Sequence, residues 1–153
     1  AAGAGLGLAA RGDIVLAARS AYFVQSFAHI GLVPDAGATW LLPRLAGKAR
    51  ASAMMLLGER ISAEQAETWG MIHAVHDDAD LMPAARAMVA RLAAGPTVAY
   101  RLIRHAIDAA ATLSFGETLA LERANQRTAG LTADHAEGVA AFLARRPPVF
   151  RGE

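Results

Sequence analysis

The sequence predicts an α/β chain in which a short strand-bearing part precedes a long helical part. Three observations carry this. Residues 1–45 are rich in Gly, Ala and β-branched pieces and hold short apolar runs best read as buried strands. Residues 46–146 read as nearly continuous helix. Within that stretch Ser62 and Ser114 stand three residues before Gln65 and Glu117, the spacing of a capping box. The chain therefore divides into 1–45 and 46–153.

The elements follow in order. Ala4–Ala10 is a short helix entered through glycines. Ile14–Ala17, after Gly12-Asp13, is a buried strand, and Ala21–Val24 a second extended piece. Gly and Pro make Gly31–Asp35 a loop. A helix runs from about Ala36 to Leu45, with Pro43 as its kink or end. Lys48–Leu57 is helical, with Met54, Met55, Leu56 and Leu57 toward the core. The helix begun at Ser62 stops at Trp69-Gly70, where Gly supplies the left-handed conformation. Met71–Val75 is extended, Leu81–Ala93 helical, and Gly95-Pro96 a break. Pro96 suits the first turn of the next helix, to about Ala111. The box at Ser114 opens a helix to about Ala129. Thr132 or Asp134 caps the last, to Arg145, and Pro147-Pro148 ends it before a basic tail.

Composition narrows the function. Hydrophobic residues make up 54% and charged residues 19%, against a disordered charged tail. Fifteen Lys and Arg stand against fourteen Asp and Glu, so no basic face is built for nucleic acid. The absence of cysteine excludes disulfides, thiolate metal sites and a Cys nucleophile, and fits a cytoplasmic protein. No apolar run approaches the ~18 residues of a membrane helix. His73 and His76 fall on opposite faces of an extended piece, and His29, His105 and His135 stand apart, so no metal-ligand spacing exists. There is no Gly-x-Ser-x-Gly elbow. The chain starts in mid-pattern without Met, and is expected to be a fragment or a processed form.

Three segments carry chemistry. In Gly3-Ala4-Gly5-Leu6-Gly7-Leu8-Ala9, glycines leave amides at a helix start free for an anion or a developing oxyanion, or else let helices pack closely. Asp35 is either an N-cap or a carboxylate for proton transfer, set among Leu32, Val33, Pro34, Trp40 and Leu41. Arg145-Arg146-Pro147-Pro148-Val149-Phe150-Arg151 is either a solvated tail or a contact for phosphates and a nucleotide.

Taken in order, these segments resemble the crotonase (enoyl-CoA hydratase/isomerase) superfamily. The residues are Gly3–Ala9 with Asp13, then Phe23, Gly31–Gly37 with Thr39, and Leu42–Gly47. Leu57–Ala63 with Ala66, Trp69–Ile72, Glu137-Gly138, Ala141-Phe142 and Arg145–Phe150 complete the set, which spans the whole chain. The resemblance implies a ββα spiral, of which only the last part is present, followed by a helical trimerisation region. It implies an acyl-CoA thioester as partner, with coenzyme A part of the substrate and no separate cofactor or metal. Homotrimers or dimers of trimers are expected, without nucleic acid or membrane.

In this family two backbone N–H groups hold the thioester enolate. Motif position makes Ala4 N–H one of them, where the family usually has Gly, flanked by Gly3 and Gly5. Hydratases also need two glutamates to handle water. Their positions fall here on Gly7 and on Phe27, within Gln25-Ser26-Phe27 where hydratases read Gln-Pro-Glu. The Pro34-Asp35-Ala36-Gly37 loop instead resembles the 1,2-epoxyphenylacetyl-CoA isomerases and Δ3,Δ2-enoyl-CoA isomerases, in which this Asp does the proton chemistry. Asp35 is then the acid/base. Gly3, Gly5, Phe27 and Trp40 are expected to bind the substrate, as are Phe142, Arg145 and Phe150, with Arg146 beside them, at the closing CoA site. The expected reaction is a double-bond shift or a ring-epoxide rearrangement. Enoyl-CoA hydratase and a non-catalytic helical oligomerisation or binding module are the alternatives. A family member has a comparable upstream stretch with the other oxyanion N–H, so this chain alone is expected to be inactive.

Overall fold

In the computed structural model, which describes residues 1–153, Gly3 turns the chain into its first helix with φ +52° and ψ −126°. That helix, α1, spans Ala4–Ala9 and buries Leu6 and Gly7. Before it, Ala1 and Gly3 pair with residues 22–24: Val24 N–H donates to Ala1 O at 3.1 Å, and Gly3 N–H to Val24 O at 2.9 Å.

Two small sheets follow. β1 (Leu16–Ala18) pairs parallel with β4 (Ala74–His76), Ala17 opposite Val75. β2 (Tyr22–Phe23) pairs antiparallel with β3 (Ile61–Ser62), Phe23 opposite Ile61. A 3₁₀ turn at Phe27–Ile30 was not foreseen from the sequence; it ends at Gly31, φ +70°.

α2 (Ala38–Ala46) continues past Pro43, so of the expected kink or end the proline does not make an end. The missing donor would have served the carbonyl of Thr39, an exposed residue. α3 (Lys48–Leu57) has the expected bounds but not the expected face. Ala51 and Met54 are buried, Met55 is half-buried, and Leu56 and Leu57 are exposed. Four consecutive residues sweep a full helical turn, so one core cannot take them all. α4 (Ala63–Thr68) starts at Ser62, whose hydroxyl accepts from Gln65 N–H at 3.2 Å, and Gly70 follows at φ +76°.

α5 (Leu81–Ala93) runs across the boundary between two compact units, Ala1–Ala85 and Arg86–Glu153. The compositional change near residue 45 lies inside the first unit, where α2 and α3 pack together. The first unit holds the apolar core: Leu6, Phe23, Leu42, Met54, Ile61 and Met71 are its larger members. Burying a side chain such as Leu42 contributes roughly 1.5–3 kcal/mol.

The second unit adds α6 (Thr97–Ala110), α7 (Phe115–Gly130) and α8 (Ala133–Leu143). Asn125 Nδ2 donates to Leu102 O at 3.3 Å and ties α7 to α6. Ser114 and Glu117 form the full reciprocal box. Thr132 caps α8 by accepting from His135 N–H at 3.1 Å. Asp134, the other candidate cap, is buried instead and binds the tail. α8 stops before Arg145, which takes φ +52°.

The short strands all lie in the first unit, and the second is built from helices and the tail. This unit leaves Ile103, Ile107, Phe115, Leu119, Leu131 and Phe142 exposed.

Candidate active site

The first unit gathers one group of the candidate residues around Gly3. Its N–H is spent on Val24 O, and its carbonyl accepts from Leu6 N–H at 3.0 Å and Gly7 N–H at 3.4 Å. A β-carbon at Gly3 would stand 3.4 Å from the Phe27 ring, so Phe27 lies against it. Gly5 N–H donates to Ala2 O at 2.9 Å. Ala4 N–H, between these committed amides, makes no hydrogen bond. A free amide held by bonded neighbours has the character of an oxyanion donor.

Asp35 lies on the loop before α2. It is not the helix cap: Gly37, at φ +78°, holds that position, and only the Asp35 backbone oxygen takes part, accepting from Ala38 N–H at 2.9 Å. Its carboxylate is exposed and makes no hydrogen bond or ion pair. Of the apolar neighbours expected to surround it, Leu32, Val33 and Trp40 are exposed and Pro34 and Leu41 half-buried. What anchors the loop is the next residue. Ala36 has φ +49°, and its carbonyl oxygen lies 2.7 Å from where a Gly7 β-carbon would be. Gly7 is one turn along α1 from Ala4. Trp40, on α2, carries the Arg44 guanidinium 3.9 Å above its ring, and Arg44 Nη1 donates to Trp40 O at 3.0 Å.

The second unit holds the other group. Phe142 and Phe150 line a cleft of about 380 Å³ together with Pro96, Val98, Gln126 and Val139. Phe150 rests near Gly138, where a β-carbon would be 3.5 Å from its ring. The tail is fastened at two points. Arg146 binds Glu137 with both terminal nitrogens, at 2.6 and 2.8 Å, and Val149 N–H donates to Glu137 at 2.8 Å. Chiefly through the Arg146 bond, the Glu137 carboxyl is held down at about 2, from an ordinary 4.5. Asp134, 4% exposed, accepts from Arg151 N–H at 2.7 Å and Gly152 N–H at 2.9 Å. Arg146 is therefore spent on structure, whereas Arg145 is exposed and makes no ion pair.

Sequence reasoning missed Gln25. It is 0% exposed, and its Nε2 donates to Gly3 O at 3.2 Å. It was visible only as part of the motif around Phe27; its contact spans 22 residues of sequence.

Residues 1–153 match the sequence profile described as enoyl-CoA hydratase/isomerase. The chain is similar to the 1,2-epoxyphenylacetyl-CoA isomerase of Escherichia coli (strain K12), 54% identical over all of this chain and 58% of that protein. It is 47% identical to a protein of Rhodobacter capsulatus named probable enoyl-CoA hydratase, over 99% of this chain and 59% of the relative. Among solved structures, an enoyl-CoA hydratase from Polaromonas sp. JS666 matches with a TM-score of 0.94 at 37% identity, covering 99% of this chain and 59% of that one. The chain thus spans just under three fifths of the length of these proteins.

Proposed function

The chain belongs to the enoyl-CoA hydratase/isomerase family, and from that premise we propose that it is the part of an acyl-CoA isomerase that carries one oxyanion donor and the acid/base. Ala4 N–H donates to the thioester oxygen. Asp35 removes a proton from C2 of a 3-enoyl thioester, the charge spreads as a dienolate, and the same carboxyl returns the proton at C4. The double bond ends between C2 and C3, with no net gain or loss of atoms. With an aromatic ring epoxide, the same polarised thioester would promote ring expansion to the oxepin.

The observation that carries the reading is the contact of Gly7 with Ala36. It holds the residue after Asp35 against α1, one turn from the free Ala4 amide. It also leaves no room for the carboxylate that hydratases place at position 7. With Phe27 at the other glutamate position, a water has neither acid nor base, whereas one carboxyl suffices for a proton shuttle. The name of the Escherichia coli relative supports the same branch.

On this reading Phe142, Phe150 and the unpaired Arg145 meet the coenzyme A portion, Arg145 through its phosphates. The exposed apolar side chains of α6, α7 and α8 suit contacts between subunits of a trimer.

The test is Asp35→Asn in the polypeptide as its gene encodes it, with 3-hexenoyl-CoA. Isomerisation is expected to fall by about 10³ or more with the oligomer unchanged, the scale of a lost acid/base group. Undiminished turnover would overturn the assignment. Wild-type hydration of crotonyl-CoA would favour the hydratase instead.

A further inference from the structure

We infer that Gln25 is a positioning residue for the Ala4 oxyanion donor: its buried side-chain amide holds the Gly3 carbonyl and so fixes the plane of the peptide that carries Ala4 N–H. The inference rests on the assignment of Ala4 above. Gly3 C=O and Ala4 N–H belong to one planar trans peptide, so a bond to the oxygen sets the direction of the hydrogen on its far side. Such bracing is needed here. Gly3 has φ +52° and ψ −126°, and glycine restrains its flanking peptide planes less than any other residue.

The segment after β2 supplies three holds on Gly3. Val24 O takes its N–H at 2.9 Å, Gln25 Nε2 reaches its carbonyl at 3.2 Å, and Phe27 stands against its α-carbon. The amide orientation of Gln25 follows from chemistry, since only its NH₂ side can face a carbonyl. A third donor on Gly3 O, beside Leu6 and Gly7 N–H, also polarises the peptide and strengthens Ala4 N–H as a donor.

Stability does not explain this residue. Gln25 is 0% exposed and its Oε1 meets no donor in the chain. A buried orphan acceptor costs free energy that an apolar side chain of the same length would not. The glutamine is therefore unfavourable for folding on one side and useful on the other, and the useful side points at the Gly3–Ala4 peptide.

Gln25→Met separates the two roles. In the polypeptide as its gene encodes it, the variant is expected to melt at or above the wild-type temperature. KM for 3-hexenoyl-CoA should stay within about twofold, while kcat falls about tenfold, a fraction of the loss caused by deleting an oxyanion donor. The absorption of bound cinnamoyl-CoA, red-shifted when its thioester carbonyl is polarised, should move back toward the free value. A variant with wild-type kcat and an undiminished red shift overturns the inference, whatever its melting temperature. So does a lower melting temperature with kcat and red shift unchanged, since Gln25 would then serve the fold alone. A wild type that red-shifts cinnamoyl-CoA yet does not isomerise overturns the reaction and leaves the positioning role to be read from the red shift. A wild type that does neither overturns both.

Discussion

Gly7 and Ala36 are in contact so close that a β-carbon on Gly7 would lie 2.7 Å from the Ala36 carbonyl oxygen and 3.0 Å from the Ala36 β-carbon. Ala36 itself sits at φ +49°, a left-handed conformation that costs a non-glycine residue roughly 1–2 kcal/mol. The strain lies in the residue next to Asp35, and the contact with α1 holds it there. One missing side chain thus lets α1 seat the loop that carries Asp35.

Gly7→Ala tests this at the smallest scale. The added methyl meets backbone rather than a flexible side chain, so the loop must move. The expected cost is about 1–3 kcal/mol, the range for overpacked sites, by chemical denaturation. Because Asp35 moves with Ala36, turnover should fall by about 10², the effect of roughly an ångström of misplacement. Gly5→Ala is the stability control. Nothing lies within 4 Å of its β-carbon position, and alanine in place of a helical glycine should stabilise by about 0.5–1 kcal/mol. Gly7→Glu should not hydrate crotonyl-CoA, since the side chain cannot enter where hydratases hold theirs. Hydration by that variant would show that the loop yields freely.

The two serine starts make a graded pair. Ser114 caps α7 and receives the Glu117 carboxylate in return, on its hydroxyl at 2.6 Å and its amide at 2.8 Å. Ser62 caps α4 through Gln65 N–H, without the reciprocal bond from the Gln65 side chain. Ser114→Ala should cost about 1 kcal/mol as a lost cap. It should also release Glu117, whose pKa Ser114 holds below 4.5. Carboxyl-carbon NMR titration of Glu117 should show its midpoint rising toward 4.5 in the variant. An unchanged midpoint would mean the box does not persist in solution.

Much of this fold is legible in the sequence because its signals are local. Lys48–Leu57 and Leu81–Ala93 have the expected bounds, set by Gly58 on one side and by the Gly95-Pro96 break on the other. The capping box at Ser114 and the stop at Gly70 are also local chemistry. The strands are less legible: Ile14–Ala17 becomes Leu16–Ala18, Met71–Val75 becomes Ala74–His76 and Ile61–Ser62 was not expected, since β1 depends on pairing with β4 some 58 residues away. Asp35 shows the limit most plainly. Its sequence neighbours are apolar, yet its carboxylate is exposed, and its helix is capped by Gly37. Gln25 lies beyond that limit, for nothing in Phe23-Val24-Gln25-Ser26-Phe27 tells that its side chain will be buried against Gly3. Asp134 deceives in the opposite way. It has a cap's place in sequence, but the tail's amides claim its carboxylate and leave the capping to Thr132.

The tail should detach in acid, and the window follows from Glu137. Arg146 and then Val149 N–H hold its carboxyl at about 2, below the ordinary 4.5. A group whose pKa is lower in the docked state stabilises that state above the ordinary value, and loses its contribution as pH falls toward the docked value. Docking should therefore be pH-independent above about 5 and weaken progressively between 4.5 and 2. The amides of Val149, Arg151 and Gly152 report it, because each is bonded to Glu137 or Asp134 in the docked tail. Their hydrogen exchange, corrected for its intrinsic pH dependence, should lose protection across that window. In Glu137→Gln the amide can still accept from Val149 but not pair with Arg146, so protection should be lower at pH 7 and flat toward acid. If Val149 protection in the wild type persists unchanged down to pH 2, Glu137 is not what fastens the tail.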